Sequence, residues 1–149
     1  VDVHEGLAAV AAERMVETRC GLADKSLFCQ QQDHALATLA PILTRDDGRI
    51  DFTRMAHNIY DRWRGFQPWP GAHTTLRGKK LIVHRMRACS RPVEGEPGTI
   101  AVDGDAMMAL CGNGTALYLD EVQLEGKRGM TAAEFLNGYQ VKSGERLGI

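Results

Sequence analysis

The 149-residue chain has no run of 18 consecutive apolar residues, which excludes an obvious membrane-spanning helix. Its first residues also lack a basic stretch followed by an apolar block and a small-residue cleavage site, so no secretion signal is expected. Cysteine is sparse: Cys20, Cys29, Cys89 and Cys111 form no C-x-x-C pair and have no histidine at zinc-ligand spacing. They read as reduced thiols used as small apolar side chains, and no metal site is expected. Catalytic signatures are missing as well. His4, His34, His57, His73 and His84 are scattered, with no serine, cysteine or aspartate at a diagnostic spacing. Asp46 and Asp47 stand beside Gly48 and read as turn formers rather than an acid and a base. Gly112-Asn113-Gly114 lies between two stranded patterns, which excludes a phosphate cradle between strand and helix. No catalytic and no cofactor-binding residue is expected.

What is present is an ordinary globular composition, 44% apolar and 25% charged, in a length that suits one domain with a real core, or a small domain plus a piece of another. The formal net charge of −1 conceals a strong asymmetry. Between Arg45 and Arg91 stand eleven lysines and arginines against the four aspartates Asp46, Asp47, Asp51 and Asp61, a surplus of seven positive charges. Such an imbalance suits a polyanionic partner, and a solvated basic face is the plainer alternative.

The order of patterns gives the architecture. Asp2 and Glu5 resemble a capping box, and Val3, Leu7, Val10, Ala11 and Met15 recur at helical spacing up to Gly21, a candidate helix stop. Residues 22–40 are weakly patterned and read as a linker. Thr53 is placed to cap a second helix carrying Ala56, Ile59, Tyr60 and Trp63 on one face, closed by Gly65. The run from Arg64 to Ala72 holds Pro68 and Pro70 between Gly65 and Gly71, so the chain turns a fixed corner there, expected to bury Trp69 near Trp63. Alternation then takes over. Strands are expected over Ala72–Leu76, Lys80–Ala88, Gly98–Val102, Ala106–Cys111 and Thr115–Val122, with hairpin signals at Arg77-Gly78-Lys79, Asp103-Gly104 and Gly112-Asn113-Gly114. Strict alternation in the second strand puts Leu81, Val83, Arg85 and Arg87 on one face. Thr131 and Glu134 form another capping box, opening a helix through Tyr139, and the tail from Val141 is expected to drape over the surface.

The fold expected is mainly β with helices: a partly open five-stranded barrel of the OB type, preceded by an N-terminal helix and linker. A five-stranded sandwich fits the same pattern. Barrels of this type often bind oligonucleotides on one face, and the candidate nucleic-acid contacts are Arg45, Arg49, Arg54, Arg62, Arg77, Lys79, Lys80, Arg85 and Arg87. With Trp63 and Trp69 read as structural, phosphate and shape recognition is favoured over base stacking.

Asp47-Gly48-Arg49-Ile50-Asp51, then Arg64 to Ala72, then Glu134-Phe135-Leu136-Asn137-Gly138-Tyr139 together resemble the C-terminal domain of the methionyl-tRNA formyltransferase family. The resemblance runs from about Pro41 to Gly148. It implies that residues 1–40 correspond to the last helix of a catalytic domain plus a linker, and residues 41–149 to an OB-like, tRNA-binding domain. It also implies an enzyme, monomeric and cytoplasmic in bacteria, or organellar where an upstream targeting segment exists. That enzyme moves a formyl group from 10-formyltetrahydrofolate to the amino group of initiator methionyl-tRNA. The family's catalytic residues lie in an N-terminal domain with a His-x-Ser-Leu-Leu-Pro segment that is not in this sequence, so the chain is expected to be an inactive fragment. Two positions depart from the family pattern: Ile42 stands where a lysine is usual, and Phe52 where tryptophan is usual. The middle domain of 10-formyltetrahydrofolate dehydrogenases is a similar alternative, but generally lacks the Pro68-Trp69-Pro70-Gly71 corner and the Glu134 to Gly148 tail. A free-standing OB-type nucleic-acid binder is the third reading.

Overall fold

The computed structural model describes residues 3–28 and 30–149. The chain divides into two compact units, one ending at Pro41 and one running from Ile42 to Ile149.

The first unit is the helix α1 (Val3–Ala23) and an irregular segment with one 3-10 turn at His34–Leu36, which Asp33 caps through the Ala35 amide. The anticipated capping box at the start of α1 depends on Asp2 and lies outside the described residues. Gly21 does not stop the helix. It sits inside the last turn because Leu27 folds back over it, with the Ser26 and Leu27 amides donating to its carbonyl. The left-handed residue is Lys25, with φ 61°. Val3, Leu7, Val10, Met15 and Val16 are all exposed, so the apolar positions of α1 have no cover of their own.

The second unit holds α2 (Ala56–Gly65), the strands β1 (His73–Leu76), β2 (Lys79–Ala88), β3 (Ile100–Asp103), β4 (Ala106–Cys111), β5 (Thr115–Leu124) and β6 (Met130–Thr131), and the helix α3 (Ala132–Tyr139). Every strand pairing is antiparallel, in the order β1-β2-β5-β4-β3 with β6 beside β5. The five expected strands are present within two residues of their expected ends, and β6 is an addition too short to show a period. Arg77 and Gly78, with φ of 50° and 73°, make the two-residue β1–β2 turn, since positive φ at both central positions matches the twist of the flanking strands. Leu81, Val83, Ile100, Met107, Leu117, Leu119, Val122 and Phe135 are fully buried and form the centre of the core. The capping box at Thr131 and Glu134 is formed, which sets α3 over that core with Phe135 and Leu136 inward.

Four further sequence expectations change. The N-cap of α2 is Met55, not Thr53, whose hydroxyl donates instead to Asp51 Oδ1 at 2.6 Å. The helix start is satisfied from far along the chain: the Ala56 amide donates to Thr115 Oγ1 at 2.8 Å, while that hydroxyl donates to the Gly112 carbonyl. Gly112 itself donates to the Phe52 and Arg54 carbonyls, and any Cβ there would collide with the Thr53 carbonyl oxygen.

The tail does not drape over the surface. It enters the opening between the two edge strands, where Leu147 pairs with Leu76 of β1 and Arg146 with Thr99 just before β3. Ile100 donates to Glu145, Gly144 to Ile100, Leu147 to Gly98 and Gly148 to Thr75, and Val141 and Leu147 are buried. The result is a partly open barrel whose gap is bridged by irregular chain.

The corner from Arg64 to Ala72 is a corner, with cis peptides before Pro68 and Pro70 and Gly71 at φ 74°. Yet Trp69 is 53% exposed rather than buried near Trp63. Trp63 packs on the Tyr60 ring, at 5.5 Å between centroids.

Strand β2 breaks its alternation. The register with β5 shifts between Val83 and Arg85 and again between Arg85 and Met86, so Met86, not Arg85, continues the buried face of Leu81 and Val83. An extra residue in a ladder flips every side chain beyond it. Arg85 and Arg87 are thereby kept out of the core, where an unpaired guanidinium would carry a heavy desolvation penalty.

Candidate nucleic-acid interface

The nine cationic side chains singled out from the sequence are all exposed, but they fall into three settings. Arg49, Arg54 and Arg62 line one cleft of about 140 Å³, with Asp46, Asp47 and Asp51 on its walls and Ile50, Ile59, Trp63 and Phe66 beneath. Within it Arg62 is held on both sides. Its Nη2 donates to the Asp47 carbonyl at 3.1 Å and lies 3.4 Å from Asp47 Oδ1, and its guanidinium sits 4.5 Å above the Phe66 ring. Arg54 pairs with Asp51 at 3.3 Å, three residues back. Both aspartates titrate below the ordinary carboxylate range. The Thr44 amide and hydroxyl hold Asp47 down, and the Thr53 hydroxyl holds Asp51 down, so both are charged at neutral pH.

Arg49 joins this cleft to the hairpin. It forms a parallel bridge with His73 on β1, and the Ile50 amide donates to the His73 carbonyl at 2.9 Å. His73 titrates below its ordinary value, first because it is partly buried and then because Lys80 and Arg49 both raise the local potential. The Asp46 carboxylate acts on the same imidazole in the opposite direction. Arg85 and Arg87 continue along the outer side of β2, where Arg87 pairs with Asp120 at 3.2 Å and lies over the Tyr118 ring at 3.7 Å.

Arg77 is engaged by the tail. Its Nε and Nη2 grip Glu145 at 2.8 and 2.7 Å, and its other donors reach the Tyr139 and Gln140 carbonyls. This fork fixes the tail, a role that short-range sequence spacing cannot show because the partner is 68 residues away. Arg45, Lys79, Lys80 and Arg85 carry no ion pair among the described residues, and Arg49 reaches only the Gly148 carbonyl at 3.4 Å. Tyr118 and Arg91, whose Nη2 donates to the Tyr118 hydroxyl at 3.3 Å, belong to this surface too. The alternation of β5 marks Tyr118 as an outward residue opposite β2, and that signal could have found it.

Chemically, this surface can pair with phosphates at the unpaired cations and present flat guanidinium and aromatic groups beside them. Among the described residues no helix is long and apolar enough to cross a membrane.

Residues 42–140 match the family model described as the formyl transferase C-terminal domain. The chain is 51% identical over 142 residues to a methionyl-tRNA formyltransferase of Acidobacterium capsulatum, covering 95% of this chain and 46% of that protein. It is 46% identical over 142 residues to the methionyl-tRNA formyltransferase of Koribacter versatilis, again across 95% of this chain and 45% of the relative. The chain thus spans less than half the length of the curated relatives it matches. Among solved structures it superposes on HypX from Aquifex aeolicus in complex with tetrahydrofolic acid, with a TM-score of 0.54 and 18% identity over 89% of this chain and 24% of that one. At that identity the likeness is one of fold.

Proposed function

The chain belongs to the formyl transferase C-terminal domain family, and from that premise we propose that it is the tRNA-holding C-terminal part of a methionyl-tRNA formyltransferase. The observation that carries this reading is the 51% identity to a protein of that name over nearly the whole chain. In the complete enzyme a formyl group passes from 10-formyltetrahydrofolate to the amino group of initiator methionyl-tRNA. The chemistry belongs to a preceding catalytic domain, of which α1 is the last helix and residues up to about 40 the linker. This part contributes binding. Arg45, Arg49, Lys79, Lys80 and Arg85 face the tRNA backbone, supported by Arg54, Arg62 and Arg87, whose charges are partly neutralised by aspartates. Arg77 acts on the fold alone.

The test is initiator tRNA binding measured across a salt series. Phosphate contacts release counterions, so log K should fall with log salt by about 0.9 per phosphate on duplex regions. Replacing Lys79, Lys80 or Arg85 with alanine should lower that slope by about one each, whereas Arg77→Ala should leave it unchanged. Absence of binding at low salt would sink the tRNA assignment. Formyl transfer by this chain alone would overturn its purely binding role.

A further inference from the structure

We propose that the outer face of β2 and β5 around Tyr118 is a stacking site for a single unpaired nucleobase, with the Arg87 guanidinium as the plane on which the base lies. The proposal rests on the tRNA reading above and names a subsite within it. Arg87 and Tyr118 are direct cross-strand partners, and the shift in the β2 register is what turns Arg87 outward to meet that ring. The guanidinium centre lies 3.7 Å from the ring centroid, so one of its faces is occupied by the phenol. Asp120 Oδ1 holds Nε at 3.2 Å, which fixes rotation within the plane. The side chain nevertheless remains 57% exposed, so surface away from the phenol is left for a ligand.

Arg91 completes the arrangement. Its Nη2 donates to the Tyr118 hydroxyl at 3.3 Å and sits 3.7 Å from Asp103, leaving the side chain 67% exposed at the edge of the same ring. Arg85, two residues from Arg87 and opposite Glu121 in the ladder, is a further exposed cation on this strand. A flat cation already held by a ring and a carboxylate loses little rotamer freedom on binding, and unpaired bases stack on arginine planes as they do on aromatic rings. Arg85 and Arg91 supply nearby positive charge for the nucleotide's own phosphates. Lysine at 87 would supply the charge without the plane.

The discriminating experiment compares the parent chain with Arg87→Lys and Tyr118→Leu for binding to initiator tRNA and to a short single-stranded oligoribonucleotide, each over a salt series. Unfolding midpoints confirm that every variant folds. Arg87→Lys should lose about 5- to 100-fold on the single strand with an unchanged salt slope, the range expected when one base loses its stacking partner. Tyr118→Leu should lose a similar factor by freeing the guanidinium. Equal single-strand affinity for Arg87→Lys and Tyr118→Leu against the parent overturns the stacking site, as does a parent that binds tRNA but no single strand. A parent that binds neither nucleic acid instead removes the tRNA reading on which the site rests.

Discussion

Helix α1 and the sheet domain are both rich in apolar residues, yet α1 spreads them around its circumference instead of gathering them on the one face its sequence suggested, and the two use them in opposite ways. Along α1, Leu7 is 62% exposed and Met15 likewise 62% exposed, whereas Leu81, Leu117 and Phe135 in the sheet domain are fully buried. Apolar residues at helical spacing thus do not by themselves establish a buried face. A helix of this length draws most of its stability from packing of its apolar side, so α1 has local backbone bonding where the sheet domain has tertiary contacts.

The sharpest way to break this contrast is a pair of truncations. Phe135→Ala should destabilise the sheet domain by about 3–5 kcal/mol, read as a lowered denaturant midpoint. Leu7→Ala should stay within about 0.5 kcal/mol. Equal losses at the two positions would mean that α1 contributes to the same cooperative core. Next in size is Gly112→Ala, whose methyl group has no room beside the Thr53 carbonyl and should destabilise by about 1–3 kcal/mol. Gly6→Ala in α1 meets open space and should leave the midpoint unchanged or slightly raised. Thr115→Val should remove the acceptor of the Ala56 amide and destabilise by about 1 kcal/mol, with faster amide exchange confined to the first turn of α2.

The smallest effect is a local one at the tail. Hydrogen bonding from Arg77 holds Glu145 below its ordinary value near 4.5. A carboxylate depressed in the folded state contributes stability that is complete above that ordinary value and is lost as pH falls through the folded one. Amide protection at Ile100, Leu147 and Gly148 should therefore decline on acidification below about pH 4.5 in the parent. In Arg77→Ala the same amides should exchange faster already at neutral pH. Protection unaltered by either change would show that the tail is held by its backbone pairing alone.

How far the surface was readable depends on the distance between partners. The capping box of α3 lies within four residues, and both its hydrogen bonds are present as the residues Thr131 and Glu134 suggest. The cap of α2 fails the same test because Thr53 lies next to Asp51, a stronger acceptor for its hydroxyl, while Thr115 arrives from another part of the sheet. Arg77 looked like its neighbours Lys79 and Lys80 because charge is visible in sequence and a partner 68 residues away is not. Arg85 and Arg87 shared a face with Leu81 and Val83 only as long as strict alternation was assumed.

By itself the sequence determined the element order, the hairpin turns with their glycines, the corner at Arg64 to Ala72 and the basic character of residues 45–91. These rest on backbone preferences, short-range periodicity and net charge, all of which act locally. The tertiary structure alone decided that the tail fills the opening between β1 and β3, that the β2 register shifts to turn two arginines outward, and which cations remain free. Each of those outcomes is a choice between partners far apart in the chain. It is settled by which buried polar groups find hydrogen bonds and which charges stay in water.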